Sequence, residues 1–273
     1  MKVKDNYKQN LHTHTIFCDG KDSPEQVVEK AVQKGFDSIG FSMHAPLFYS
    51  EYKYAFTIEQ YIAEINKLKL KYRGVLDVYC GLEFDAYCGL DLKPFDYTLG
   101  ALHYLKKGER YLAFDRSCQA VEQLIEREFG GKGIEFAKEY YKQLANLGQF
   151  GKFDVVAHFD IITKNIEVSN FFDTESKEYR NSAIEALVAL REDFDIFEIN
   201  TGAISRGYRT TPYPQKFILE EMKRLNCQIV ISSDCHDANY LDAGFENAKE
   251  LAKSCGYKEQ VAFIDGKFEQ IPL

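Results

Sequence analysis

Asn10-Leu11-His12-Thr13-His14 sets two imidazoles one residue apart, and Cys18-Asp19-Gly20 follows in the next few residues. Side chains alternate along an extended segment, so His12 and His14 project to one side of it. Two imidazoles with a carboxylate close by begin a site for a divalent cation. The chain holds six histidines, and the other four (His44, His103, His158 and His236) each fall at or just past the end of a predicted strand. Three carboxylates keep them company: Asp19, Glu83 closing Cys80-Gly81-Leu82-Glu83, and Asp234 two residues before His236. Six imidazoles and three carboxylates exceed what one tetrahedral ion can use. They suit two or three ions sharing a bridging carboxylate and water, and zinc, manganese or iron all accept such a nitrogen and oxygen set.

Charge then selects the substrate. Three carboxylates against three divalent ions leave a surplus of about +3 at the site, so an anion belongs there. A phosphate monoester dianion fits, with a hydroxide bridging two metals as nucleophile and the metals taking up the charge of the leaving alkoxide. An arginine fork would complete the clamp on phosphate. The stretch from Asn200 through Gly202, Arg206, Tyr208 and Arg209 offers Arg206 first and Arg209 next, with Tyr208 beside them; Arg116 is a further candidate. Glu83, Asp234, His236 and Arg206 are the expected catalytic residues, and Arg206, Arg209, Arg116 and Tyr208 the expected substrate contacts. Asp160 follows His158 by two and could orient a ligand. Asp22, Asp85 and Asp237 read as ordinary loop residues, and Cys18 and Cys235 are left out of the metal shell.

These residues need a scaffold that gathers strand ends. Short apolar runs at 8–12, 37–42, 75–82, 97–102, 153–157, 196–199 and 228–232 read as strands. Helical spacing recurs between them. Ser23-Pro24-Glu25-Gln26 is a helix start, Thr57 with Gln60 opens another over 57–72, and 177–191, 215–225 and 245–254 follow. A longer stretch, 119–147, reads as two helices broken at Gly130-Gly131. Alternation of this kind predicts a parallel sheet covered by helices. Seven units favour a closed α/β barrel of TIM-like form, with a doubly wound sheet as the alternative. In such a barrel the loops at the strand C-termini build the site.

The totals agree with one domain over 1–273, with 104–150 as a helical insertion near the rim of the site. A net charge of −8 argues against nucleic acid or an anionic membrane as partner. No stretch of about 18 apolar residues occurs, and the N-terminus lacks the apolar core of a signal peptide. Seven scattered cysteines read as reduced thiols of a cytoplasmic protein.

The ordered set His12-Thr13-His14 with Asp19, then His44, Glu83, His103, His158 and Asp234-Cys235-His236, resembles the metal motifs of the PHP (polymerase and histidinol phosphatase) superfamily. The stretches 10–20, 41–47 and 200–214 are most similar to its stand-alone histidinol-phosphate phosphatases. The resemblance implies a distorted seven-stranded (β/α) barrel and a trinuclear site. It distributes the ligands as His12, His14, Glu83 and Asp234 on the first ion, Glu83, His103 and His158 on the second, and Asp19, His44 and His236 on the third. The implied reaction is hydrolysis of L-histidinol phosphate to L-histidinol and phosphate, in histidine biosynthesis. Two positions depart from the superfamily: Asn10 stands where an aspartate is common, and Ala101 where a small hydroxyl residue is common. Alternatives are a PHP phosphoesterase acting on phosphotyrosine or a nucleotide phosphate, and a metal-binding module without activity. Tyr49, Tyr52, Tyr54 and the segment after His103 are the expected aromatic pocket for an imidazole and an ammonium group.

Overall fold

The computed structural model describes residues 6–47, 49 and 56–273. Seven parallel strands form one sheet in the order β1 (Gln9–Asn10), β2 (Ser38–His44), β3 (Asp77–Asp85), β4 (Tyr97–Ala101), β7 (Val155–Val156), β8 (Ile196–Asn200) and β9 (Gln228–Ser232). The first and last strands meet just beyond their ends. Thr13 bridges Cys235, His14 N donates to the Cys235 carbonyl at 2.9 Å, and Cys235 N donates to the His12 carbonyl at 3.3 Å. The sheet is therefore a nearly closed barrel and not a doubly wound layer.

Helices cover the outside where the sequence asks for them. Ser23 and Gln26 form a reciprocal capping box for α1 (Pro24–Gln33), which buries Val27, Val28 and Ala31. Thr57 and Gln60 do the same for α2 (Ile58–Lys71), which turns Tyr61, Ile65 and Leu68 inward. Further round the barrel, α5 (Lys177–Arg191), α7 (Lys216–Arg224) and α8 (Phe245–Ser254) complete the outer layer. The expected break at Gly130-Gly131 separates α3 (Cys118–Phe129) from α4 (Gly133–Leu144). Gly130 caps α3 at φ 59°, a left-handed turn that glycine adopts without strain.

Strand alternation sends Leu11, Leu99, Ala101, Val155, Ala157, Ile196 and Val230 into the barrel, where they form their own apolar cluster. Tyr97 crosses this interior and donates its hydroxyl to the carbonyls of Leu11 and Phe41. Room for its ring comes from two glycines. A Cβ on Gly40 would lie 2.4 Å from the Tyr97 hydroxyl, and one on Gly81 would lie 2.3 Å from the ring carbon that carries it.

Two hairpins extend what the sequence reading expected. β10 (Glu259–Ile264) and β11 (Lys267–Pro272) turn through Asp265 and Gly266, at φ 49° and 83°. Their Val261 and Phe263 plug the barrel interior, and Gln9 locks Phe263 through paired 2.8 Å bonds to its backbone. The stretch after His103 opens with β5 (Tyr104–Lys107) and β6 (Arg110–Ala113), so the segment expected to be a helical insertion begins as a hairpin and only then becomes α3 and α4. Among the described residues no helix is long and apolar enough to cross a membrane.

Candidate active site

The parallel register places the polar residues at one end of the barrel. His44, the last residue of β2, is paired with Glu83 of β3. His103 lies two residues past β4, His158 two past β7, and Asp234 two past β9. His12 and His14 flank the seam at Thr13, and Asp234 and His236 flank it at Cys235. Asp234 holds a left-handed backbone at φ 46°, a conformation that aspartate tolerates better than most residues with a Cβ. The α6 turn (Gly202–Ser205) comes so close that a Cβ on Gly202 would lie 2.9 Å from the Asp234 Cβ.

Glu83 is the hub. Its two oxygens lie 2.6–3.5 Å from ring nitrogens of His12, His14, His44, His103 and His158. Asp234 Oδ1 reaches Nε2 of His14 at 3.1 Å and of His12 at 3.6 Å. At the outer edge Asp19 Oδ1 faces Nε2 of His44 at 3.6 Å and of His236 at 3.3 Å. All nine residues expected as ligands thus converge. Their atoms form overlapping groups: His14, Asp19, His44 and His236; His12, Glu83 and His158; His12, His14 and Asp234; and His44, Glu83 and His103. Donors on a tetrahedral zinc stand about 3.4 Å apart, so the spacing fits ligation.

A second observation bears on the same fit. His12 Nε2, His14 Nε2 and Glu83 Oε2 are buried and make no hydrogen bond of good geometry, although rings and carboxylates crowd them at 2.6–3.6 Å. Buried polar atoms are costly when unpaired, and these three aim at one another in a way that a cation would satisfy. Electrostatics agree. Burial opposes charge on Glu83, but His44, His12 and His103 overcome it and hold the carboxyl well below its ordinary range. Burial likewise opposes charge on His103, while Glu83 and Asp85 raise it to about 10. His14 goes the other way, to about 3, because burial and the neighbouring His236 and His44 disfavour its proton.

Supporting residues are less legible in sequence. Glu198, fully buried in β8, accepts from His12 Nδ1 at 2.7 Å, His158 N at 2.8 Å, Ser232 Oγ at 2.7 Å and Asn200 Nδ2 at 2.9 Å. Its signal was a lone acid between apolar neighbours in Ile196-Phe197-Glu198-Ile199, a buried strand where a charge needs a reason. Asp85 closes β3 rather than lying in a loop, and its carboxylate accepts from His103 Nδ1 at 3.2 Å. Asp160 does not orient His158 through its side chain; its Oδ2 accepts from Gln215 N at 3.0 Å at the start of α7. Asp22 and Asp237 satisfy loop backbone at Ala238 and Asn239. Cys18 Sγ lies 3.3 Å from His14 Nδ1, and neither it nor Cys235 joins the ligand groups.

The arginines separate. Arg206 Nη2 bonds Asp234 Oδ2 at 3.1 Å, and its Nε donates to the Gly202 carbonyl at 3.2 Å. Arg116 lines the cavity of about 260 Å³ that opens beside Asp19, His44, Glu83 and His103. Arg209 does not reach this mouth. Its guanidinium is buried against Thr163 and Thr211, lies 4.8 Å over the Tyr213 ring, and borders a different pocket with Pro212 and Lys216. Tyr208 is at the surface, with Lys164 Nζ 4.6 Å over its ring. Lys164 also pairs with Asp115 of the cavity wall at 2.7 Å, a cation with no sequence signal beyond its place after His158. Of the expected aromatic wall, Tyr49 stacks on Tyr111 at 3.9 Å and Tyr104 lines the cavity. Tyr52 and Tyr54 lie outside the described residues.

Comparison with known proteins gives the same picture. The model of the PHP domain matches residues 10–202. Histidinol-phosphatase of Bacillus subtilis is 28% identical over 265 residues, spanning 88% of this chain and 97% of the relative. Histidinol-phosphatase of Lactococcus lactis is 24% identical, over 96% of this chain and 97% of its own. The crystal structure of histidinol phosphate phosphatase from L. lactis, complexed with zinc, L-histidinol and phosphate, superposes with a TM-score of 0.74 at 22% identity, covering 96% of this chain and 98% of that one. A putative histidinol phosphatase from Listeria monocytogenes gives 0.70 at 21% identity, over 88% and 99%. Motif order, barrel and ligand convergence lead to one conclusion: the chain belongs to the PHP domain family.

Proposed function

We propose that the protein is a metal-dependent phosphomonoesterase that hydrolyses L-histidinol phosphate to L-histidinol and phosphate. The observation that carries this reading is Glu83, one carboxylate in reach of five imidazoles, with Asp19, Asp234 and His236 completing the surround. Histidinol-phosphatases related over nearly their whole length support the substrate.

His12, His14, Asp19, His44, Glu83, His103, His158, Asp234 and His236 would hold up to three divalent ions, zinc, manganese or iron. Such ions supply Lewis acidity toward a phosphoryl oxygen and make water a usable nucleophile at neutral pH. The chain's own groups do the rest. Arg206, fixed by Asp234 and Gly202, offers its remaining N–H groups to a phosphate oxygen. Arg116 and Tyr104 line the cavity that opens beside Asp19, His44, Glu83 and His103. The overall change breaks the bond from phosphorus to the alcohol oxygen and forms one from water oxygen, with a water proton passing to the alcohol. Turnover of histidinol phosphate, p-nitrophenyl phosphate and a 3′-nucleotide by zinc- and manganese-loaded protein tests the reading. Histidinol phosphate is expected to be far the fastest; equal or slower turnover than the other two rejects the substrate.

A further inference from the structure

One buried carboxylate outside the ligand set has partners of a single kind. Asp85 Oδ2 accepts from both the backbone N of His103, at 2.9 Å, and its ring Nδ1, at 3.2 Å. Asp85 Oδ1 accepts from the Tyr49 hydroxyl at 2.6 Å and from Tyr87 N at 3.4 Å. All of these are donors. Two bonds to one residue fix His103 at main chain and ring together. A proton kept on Nδ1 leaves the lone pair on Nε2, which points at Glu83 Oε1 from 3.3 Å. On its other side the carboxylate is tied to the hairpin whose Tyr104 and Ala113 line the cavity, because the Tyr49 ring lies flat on Tyr111 of β6, 3.9 Å away and 8° from parallel.

We infer that Asp85 is a positioning residue for His103, and that Tyr49 joins this pair to the hairpin β5–β6, so that the cavity wall and the cation site are held as one unit. The inference rests on the preceding reading only in taking His103 as a cation ligand. Asparagine at position 85 would turn an amide donor toward existing donors, so a near-isosteric change breaks the arrangement. Partners of metal-bound imidazoles typically contribute 10–100-fold to metal affinity.

The test is zinc affinity, measured by competition with a chelating dye on the full chain, independently of turnover. Asp85→Asn is expected to weaken the hold on at least one zinc by about 10–100-fold, with Tyr49→Phe weakening the same zinc by a smaller factor. If Asp85 acts through His103, adding Asp85→Asn to His103→Ala produces little further loss. Wild-type zinc affinity in Asp85→Asn, or full additivity of the two losses, overturns the inference. Should Asp85→Asn fail to fold, imidazole ¹⁵N spectra of the zinc-loaded wild-type protein decide. A proton on His103 Nδ1 supports the assignment, and one on Nε2 overturns it. Zinc binding that follows these expectations without turnover of histidinol phosphate would remove the proposed substrate and leave this inference standing.

Discussion

Nδ1 of His12 and Oε1 of Glu198 lie 2.7 Å apart inside the barrel, both fully buried. The bond sets the imidazole tautomer and turns Nε2 toward Glu83 and Asp234. Glu198 also accepts from Ser232, Asn200 and the His158 backbone, so it joins β7, β8, β9 and the first strand's extension. Glu198→Gln directs an amide N–H at donors and is expected to destabilise the metal-stripped protein by about 1–3 kcal/mol. Urea denaturation measures this. An unchanged midpoint would show that the network tolerates a neutral centre.

Tyr97 gives a prediction with an internal control. Gly40→Ala and Gly81→Ala should each destabilise by about 1–3 kcal/mol through overpacking. The Gly40 clash is tightest at the hydroxyl, with Leu11 Cδ2 and the ring carbon behind it at 2.9 Å, whereas the Gly81 clash is with ring carbons alone. Tyr97→Phe should therefore offset part of the Gly40→Ala loss and little of the Gly81→Ala loss, which a pair of double-mutant cycles resolves. Equal rescue of both would contradict this packing.

The metal-stripped protein should lose stability as pH rises above neutrality. Burial disfavours the imidazolium of His12, His44 and His103, but Glu198, Asp234, Glu83, Asp19 and Asp85 raise them above 6.5, His103 to about 10. A raised group contributes stability in full below its unfolded value and loses it as pH climbs through the folded one. His14, lowered to about 3, has the opposite sign and acts below 6.5. Between pH 6.5 and about 10 the three raised groups govern, so the melting temperature should fall across that window and the gap to zinc-loaded protein should widen. Melting curves of chelator-treated and zinc-loaded samples check this; a stripped-protein Tm that holds level would refute it.

Arg206 spends one N–H on Asp234 and one on the Gly202 carbonyl. Arg206→Ala should raise KM for the phosphate ester by roughly 10–100-fold, the loss of a charge-assisted hydrogen bond, and change bound metal much less. Arg206→Lys should recover only part, because a point charge cannot reproduce the planar fork. Michaelis constants alongside metal analysis test this, and an unaltered KM takes Arg206 out of phosphate binding.

How much of this could be read from the chain depended on the kind of signal. His44, Glu83, His103 and His158 were legible because residue type and strand ending coincide. α1 and α2 were legible because Ser23/Gln26 and Thr57/Gln60 state their starts locally. Asp85 and Glu198 were not, since what makes them matter is the distant histidine each touches, and spacing along the chain does not encode that. Arg206 and Arg209 differ by three residues and look alike in sequence; only the fold of the 200–214 loop turns one toward Asp234 and the other onto Tyr213. The hairpin β10–β11 carried a usable signal, Asp265-Gly266 directly after the apolar run 261–264, at the two positive-φ positions such a turn requires.

The seam at Thr13 and Cys235 makes a clasp of the chain's two distant parts. Four of the donor side chains (His12, His14, Asp234 and His236) sit on its two halves, so closing the ring is also what brings those donors face to face. A nascent chain that has not yet delivered residues 228–236 holds only half of the clasp, and two of the four donors with it.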